Sequence, residues 1–229
     1  MTDIQANYDG LQKRIVRACQ QAERDPQEIT LIGAAKTKSA AAVASAFSCG
    51  VKHFGENYVE EGVAKIQASL ALGATWHFIG RIQRNKTRHI ASHFDWVHTL
   101  DRQRIAERLN EQCPPDKTLQ VLIQVNIDND PAKAGVDPAQ AQQLLSCISD
   151  LPRLQPRGLM TILAQSSNLS PAQRYRSVAE LHQQLSAQLA DQTDTWNVLS
   201  MGMTGDLEDA ISAGATHIRI GTALFGARS

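Results

Sequence analysis

Eight short apolar runs, set through the 229-residue chain with amphipathic segments between them, constrain the fold more than any other feature. They are ITLIGAAK (29 to 36), VKHFGEN (51 to 57), TWHFIG (75 to 80), WVHTL (96 to 100), LQVLIQVNI (119 to 127), LQPRGLMTI (154 to 162), WNVLSMGM (196 to 203) and HIRIGTALFG (217 to 226). Runs of this kind, alternating with helical segments, are the pattern of βα units around a parallel sheet. An open doubly wound sheet uses the same grammar, but the count and the even spacing favour closure. The expected fold is therefore α/β, a single (β/α)8 TIM barrel over residues 1 to 229, and the length suits one such domain.

The segments between the runs carry the helical period. Val59, Val63, Ile66 and Leu70 share one helix face, as do Val178, Leu181, Leu185 and Leu189. Ala141, Leu144, Leu145 and Ile148 follow Asp137 and Pro138, a helix-start signal, and Leu207, Ala210, Ile211 and Gly214 follow the seventh run. Tyr8, Leu11, Ile15 and Ala22 predict an extra helix ahead of the first strand. Leu163 to Gln173 lacks a pattern and reads as a loop.

Lysine plus arginine and aspartate plus glutamate both total 23, so no bulk attraction to nucleic acid or an anionic membrane is expected. Cys19, Cys49, Cys113 and Cys147 form no CxxC pair and read as free thiols of a reducing compartment. With a polar N-terminus and no apolar stretch of about 20 residues, the expectation is a soluble cytoplasmic protein. A monomer is the default.

A β/α barrel places its chemistry at the C-terminal ends of its strands. There the chain puts Lys36, Asn57, His77 with Gly80, Asn126, Ser200 with Thr204, and Arg219 with Gly221 and Thr222. A lysine at that place loses hydration, which favours the neutral amine that attacks a carbonyl; alternatively it snorkels to solvent. Ser200, Gly202, Thr204 and Gly205 precede one helix start, and Gly221 with Thr222 follows strand eight. Hydroxyls and glycine-freed amides at helix starts suit a phosphate, and tight turns with a cap are the alternative. Arg219 lies between Ile218 and Ile220 and so faces the lumen or the mouth, either toward a ligand or in a buried ion pair. A carbonyl-reactive amine, a phosphate cradle and a donor to a ring nitrogen are together what pyridoxal 5′-phosphate requires.

Ordered motifs sharpen this: AAKTK around Lys36, HFGENYVEE from His53, WHFIGRIQRNK from Trp76, KAG at Lys133, RGLMTI from Arg157, LSMGMTGDLEDAI, and HIRIGTALFGAR. With these the chain resembles the pyridoxal phosphate homeostasis proteins, fold-type III barrels similar to the N-terminal domain of alanine racemase. The resemblance implies a Schiff base between Lys36 and the cofactor. It also implies phosphate contacts from Ser200, Thr204, Gly221 and Thr222, Arg219 against the pyridine nitrogen, and Asn57 in the pocket. It further implies a carrier or regulator of vitamin B6 and amino-acid pools, with cofactor-dependent apoenzymes as candidate recipients and no dedicated turnover. One departure is that Thr204 and Gly205 stand where the family pattern has serine and an acid. A small amino-acid racemase is the alternative, but racemisation needs acid and base groups on both faces of the α-carbon. In alanine racemase an added β domain and the partner subunit serve the second face, and no counterpart of that domain is expected here.

His89 and His93 have a metal-compatible spacing without a third ligand, and Arg81, Arg84, Lys86 and Arg88 form a basic cluster without interleaved aromatics. Both read as parts of an exposed loop and helix.

Overall fold

The computed structural model describes residues 3–187, 189 and 194–226. Eight parallel strands close in sequence order: β1 (Thr30–Ala34), β2 (His53–Glu56), β3 (Thr75–Phe78), β4 (Trp96–Leu100), β5 (Leu119–Gln124), β6 (Leu154–Met160), β7 (Val198–Ser200) and β8 (His217–Ile220). The barrel shuts where β1 pairs with β8, with Ile32 opposite Arg219. Most strands are shorter than the apolar runs that announced them. The surplus residues form the loops at the C-terminal rim, and the last run changes period after Ile220 into a short helix.

The helices are α1 (Ile4–Gln21), α2 (Ala40–Ser48), α3 (Val59–Ala68), α4 (Thr87–His93), α5 (Gln103–Gln112), α6 (Pro138–Ser149), α7 (Pro171–Ser186), α8 (Leu207–Ser212) and α9 (Thr222–Phe225). Their starts follow local chemistry. Asp3 caps α1 through the Ala6 amide, Asp137 caps α6 ahead of Pro138, and Ser170 and Gln173 form a reciprocal capping box at α7. That box starts α7 at Pro171, inside the stretch expected to be loop. A second correction concerns Leu70, which is 72% exposed. The α3 helix ends at Ala68, where the Ser69 hydroxyl bonds back to the Lys65 carbonyl, and Gly73 in the left-handed region closes the next turn.

Two apolar layers form. The larger lies between strands and helices and includes the periodic residues of α6 together with Val178, Leu185, Ile218 and Ile220. A separate small cluster, Leu122, Met160 and Val198 with Trp96 and Ile162 against it, fills part of the lumen. Inward and outward residues alternate along each strand, which is why one strand serves both layers. The leading helix α1 packs on α8 and α9, and the Asn7 side-chain amide donates to the Leu224 carbonyl at 2.9 Å. The four thiols are free. Among the described residues no helix is long and apolar enough to cross a membrane.

Candidate functional site

At the C-terminal rim a cavity of about 300 Å³ is lined by Lys36, Asn57, Thr204, Arg219, Gly221 and Thr222, with Ile79, Ile162 and Met203 among its apolar walls. Six of the seven residues nominated from sequence thus share one space. Ser200 does not line it: the residue is fully buried and its hydroxyl engages Arg219 and His98. Nor do His77 and Asn126 reach the mouth. His77 is an inward residue within β3, below Ile79, and the Asn126 side chain closes its own loop onto the Asp130 backbone.

The β1 end delivers Lys36 in a half-buried position. The Ala35 amide bonds to the Gly55 carbonyl, and the Ala35 carbonyl accepts from the Lys65 ammonium at 2.7 Å. Lys65 in turn lies 2.6 Å from the buried Glu56 carboxylate. Thr37 has φ 63°, a conformation that costs a β-branched residue energy, and its amide is held by Glu61. The Lys38 ammonium donates to the carbonyls of Phe225 and Gly226 at the end of α9, the favourable end for a cation. Lys36 faces the cavity while Lys38 ties down its loop. Opposite them, Gly80 lets the chain just after β3 lie against Asn57: a Cβ there would come 2.0 Å from the Asn57 carbonyl oxygen.

The β7 end is shaped by Gly202, at φ 92°, where a Cβ would stand 2.6 Å from that of Ala210. Asp206, which sequence reasoning passed over, accepts from the Met203 amide at 2.6 Å and from the Tyr175 hydroxyl at 2.9 Å. Burial first, and the neighbouring Asp206 second, hold the Tyr175 phenol well above its usual range, so it remains a donor. Arg14 of α1 reaches the Thr204 carbonyl and pairs with Glu208. Thr222 opens α9, so the first amides of that helix have no intrahelical acceptor.

Arg219 points inward, as the alternation predicted, and is 5% exposed. Its two terminal nitrogens donate to Ser200 Oγ at 2.7 Å and to the Thr161 carbonyl at 2.8 Å. Among the described residues no carboxylate forms an ion pair with it. Burial lowers its pKa to about 10, against the opposing influence of Tyr175 and Asp206, so the guanidinium is charged at neutral pH.

The donor set can be matched to a ligand. The lining combines an amine, a guanidinium, two hydroxyls, a carboxamide, glycine-flanked backbone and apolar walls, and among the described residues contains no carboxylate. That combination fits a phosphate ester carried on an aromatic aldehyde, the description of pyridoxal 5′-phosphate. The other nominated signals lie elsewhere: His89 and His93 stack on α4, and Lys86 of the basic cluster pairs with Glu60.

The family profile described as "Alanine racemase, N-terminal domain" matches residues 6–229. Proteins named pyridoxal phosphate homeostasis protein are similar over their full length. The one from Haemophilus influenzae is 47% identical over 99% of this chain and 97% of its own, and the one from Escherichia coli K12 is 45% identical over 100% and 98%. A solved structure of PipY from Synechococcus elongatus PCC7942, described as having PLP bound, is 35% identical with a TM-score of 0.80, covering 93% of this chain and 99% of that one. Alanine racemase of Clostridium difficile 630, at 14% identity and a TM-score of 0.71, shares the fold over 95% of this chain and 60% of its own. With full-length relatives of this identity and a profile spanning nearly the whole barrel, the chain belongs to the pyridoxal phosphate homeostasis protein family.

Proposed function

We propose that this protein holds pyridoxal 5′-phosphate at the barrel mouth as a reversible Schiff base on Lys36 and serves the intracellular supply of that cofactor, with cofactor-dependent apoenzymes as recipients. The carrying observation is the cavity itself, which gathers Lys36, Arg219, Thr204 and Thr222 with no carboxylate among its described lining residues. Lys36 supplies the amine for the aldehyde, and condensation releases water. Thr204, Thr222 and the backbone around Gly205 and Gly221 take the phosphate, and Asn57 with Ile79, Ile162 and Met203 flanks the ring. Arg219 faces the ring nitrogen as a fixed cation, which opposes protonation there and weakens the ring as an electron sink.

The cavity lining also bears on turnover. Apart from Lys36, its lining among the described residues has no tyrosine, histidine, cysteine or carboxyl group to serve a second face of a substrate carbon, which favours a carrier over a racemase. The test is the visible spectrum of the purified chain with added pyridoxal phosphate, beside Lys36→Ala, followed by borohydride reduction and peptide mapping. A band in the parent alone, with the reduced adduct on Lys36, supports the reading; an adduct on another lysine, or no band, overturns it. Accumulation of the opposite enantiomer from a single-enantiomer amino acid at enzymatic rates would defeat the carrier assignment.

A further inference from the structure

Beneath the mouth, the lumen holds a line of polar side chains that the cofactor site does not explain. Arg219 donates to Ser200 Oγ at 2.7 Å. Ser200 Oγ lies 2.8 Å from His98 Nδ1, His98 Nε2 lies 2.8 Å from His77 Nδ1, and His77 Nε2 lies 2.9 Å from His53 Nδ1. Ser200, His98 and His77 are fully buried, whereas His53, the first residue of β2, is half-buried at the opposite end of the barrel.

We infer that these contacts form a one-way hydrogen-bond relay in which Ser200 and His98 are positioning residues that fix the Arg219 guanidinium toward the cofactor ring. The direction follows from what each group can do. A guanidinium only donates, so Ser200 Oγ accepts from it. The hydroxyl proton then needs an acceptor of its own, and in this closed setting the partner is His98 Nδ1. His98 therefore carries its proton on Nε2 and donates to His77 Nδ1, and His77 by the same step donates from Nε2 to His53 Nδ1. The last proton, on His53 Nε2, is left at the lower end of the barrel. The opposite sense would leave a buried hydroxyl proton without an acceptor.

All three imidazoles are neutral in this arrangement, which suits their surroundings. Burial drives His77 and His98 well below the ordinary histidine range and lowers His53, which the nearby Asp95 counteracts. The other groups facing the line are His217, whose Nδ1 is engaged by the Thr216 hydroxyl, and Arg219 itself, while Arg157, over the Trp96 ring, acts on His217. Burial and the fixed positive charge of Arg219 disfavour a proton added at His98. Among the described residues no histidine, cysteine and carboxylate group is arranged to hold a metal, so the imidazoles serve one another. The consequence is that Arg219 is anchored without a carboxylate and keeps its whole charge for the mouth.

This inference rests on the cofactor reading above for what Arg219 faces, but its direction can be measured without cofactor. Long-range ¹⁵N correlation spectra of the parent protein should show the Nε2–H tautomer at His53, His77 and His98; an Nδ1–H tautomer at His98 overturns the relay. With pyridoxal phosphate, Ser200→Ala should weaken binding about tenfold and shift the visible band or the pH at which it titrates, while Ser200→Thr restores both. Parental affinity and spectrum in a folded Ser200→Ala variant overturn the positioning role. A parent that shows the predicted tautomers but no visible band leaves the relay standing and removes the cofactor reading.

Discussion

Lys36 and Arg219 enter one cavity from the paired strands β1 and β8, yet what stands beneath them differs. Under Lys36 is a buried ion pair, Glu56 with Lys65, whose ammonium also holds the Ala35 carbonyl. Under Arg219 are a serine, a backbone carbonyl and a file of neutral imidazoles. Carboxylates do lie near both, but each is engaged elsewhere: Glu56 on Lys65, and Asp206 on the Met203 amide and the Tyr175 hydroxyl. A carboxylate bonded directly to Lys36 or Arg219 would compete with an anionic ligand at that cavity. The comparison teaches that the strained loop at Thr37 is held by charge placed one residue removed from Lys36, while Arg219 is held by groups that leave its charge intact.

The largest expected effect comes from breaking the charged support. Lys65→Met leaves the Glu56 carboxyl buried with neither oxygen paired to a side chain, since Oε2 already lacks a partner, and should cost about 3 kcal/mol in denaturant unfolding. Hydrogen exchange at Thr37 and Lys38 should accelerate in the same variant. Adding Glu56→Gln should recover part of the loss; if the single variant unfolds like the parent, the ion pair is not what holds the β1 loop.

Acid should act on the buried histidine beside the other support. Burial lowers the pKa of His217 from 6.5 to about 3. Above pH 6.5 neither folded nor unfolded chain binds that proton. Below it the unfolded chain binds one that the folded chain refuses, so stability falls as the pH drops from 6.5 toward 3. At pH 5 the contribution of this one group is about 2 kcal/mol. Stability measured from pH 7.5 to pH 5 should therefore decline less steeply in His217→Gln, and parallel profiles would show that His217 is not neutral in the fold.

The smallest effect tests the loop beside Arg219. Tyr175→Phe removes the donor to Asp206 and should cost about 1 kcal/mol, with weaker phosphate-ester binding because Asp206 also holds the Met203 amide. Unchanged stability and affinity would mean that Gly202 and Arg14 suffice to shape that loop.

Much of this is legible in the sequence. The apolar runs placed every strand, Asp137–Pro138 placed α6, and the alternation Ile218–Arg219–Ile220 placed the guanidinium inward. The strand-end rule brought Lys36, Asn57, Thr204, Gly221 and Thr222 to one cavity because those residues lie within four positions of their strand ends. It misplaced Ser200 and His77, since a strand end fixes neither the height at which an inward side chain stands nor which neighbour claims its polar atoms. Asp206 and Tyr175 were missed for a related reason: they are 31 residues apart, and neither sits in a motif that names the other. A capping-box search would have found the start of α7, where Ser170 and Gln173 have the required spacing.

What the sequence determined by itself was periodic and local: the number and order of the βα units, the caps, and the residue types delivered to the rim. Those follow from hydrophobic alternation and from side chains bonding within a few positions of themselves. What only the tertiary structure decided was pairing at long range. Whether Glu56 neutralises Lys65 or Lys36, and whether Ser200 meets a phosphate or a histidine 102 residues away, depends on how closing the barrel superposes strands. Closure sets the stagger between strands, and stagger sets which inward side chains share a height.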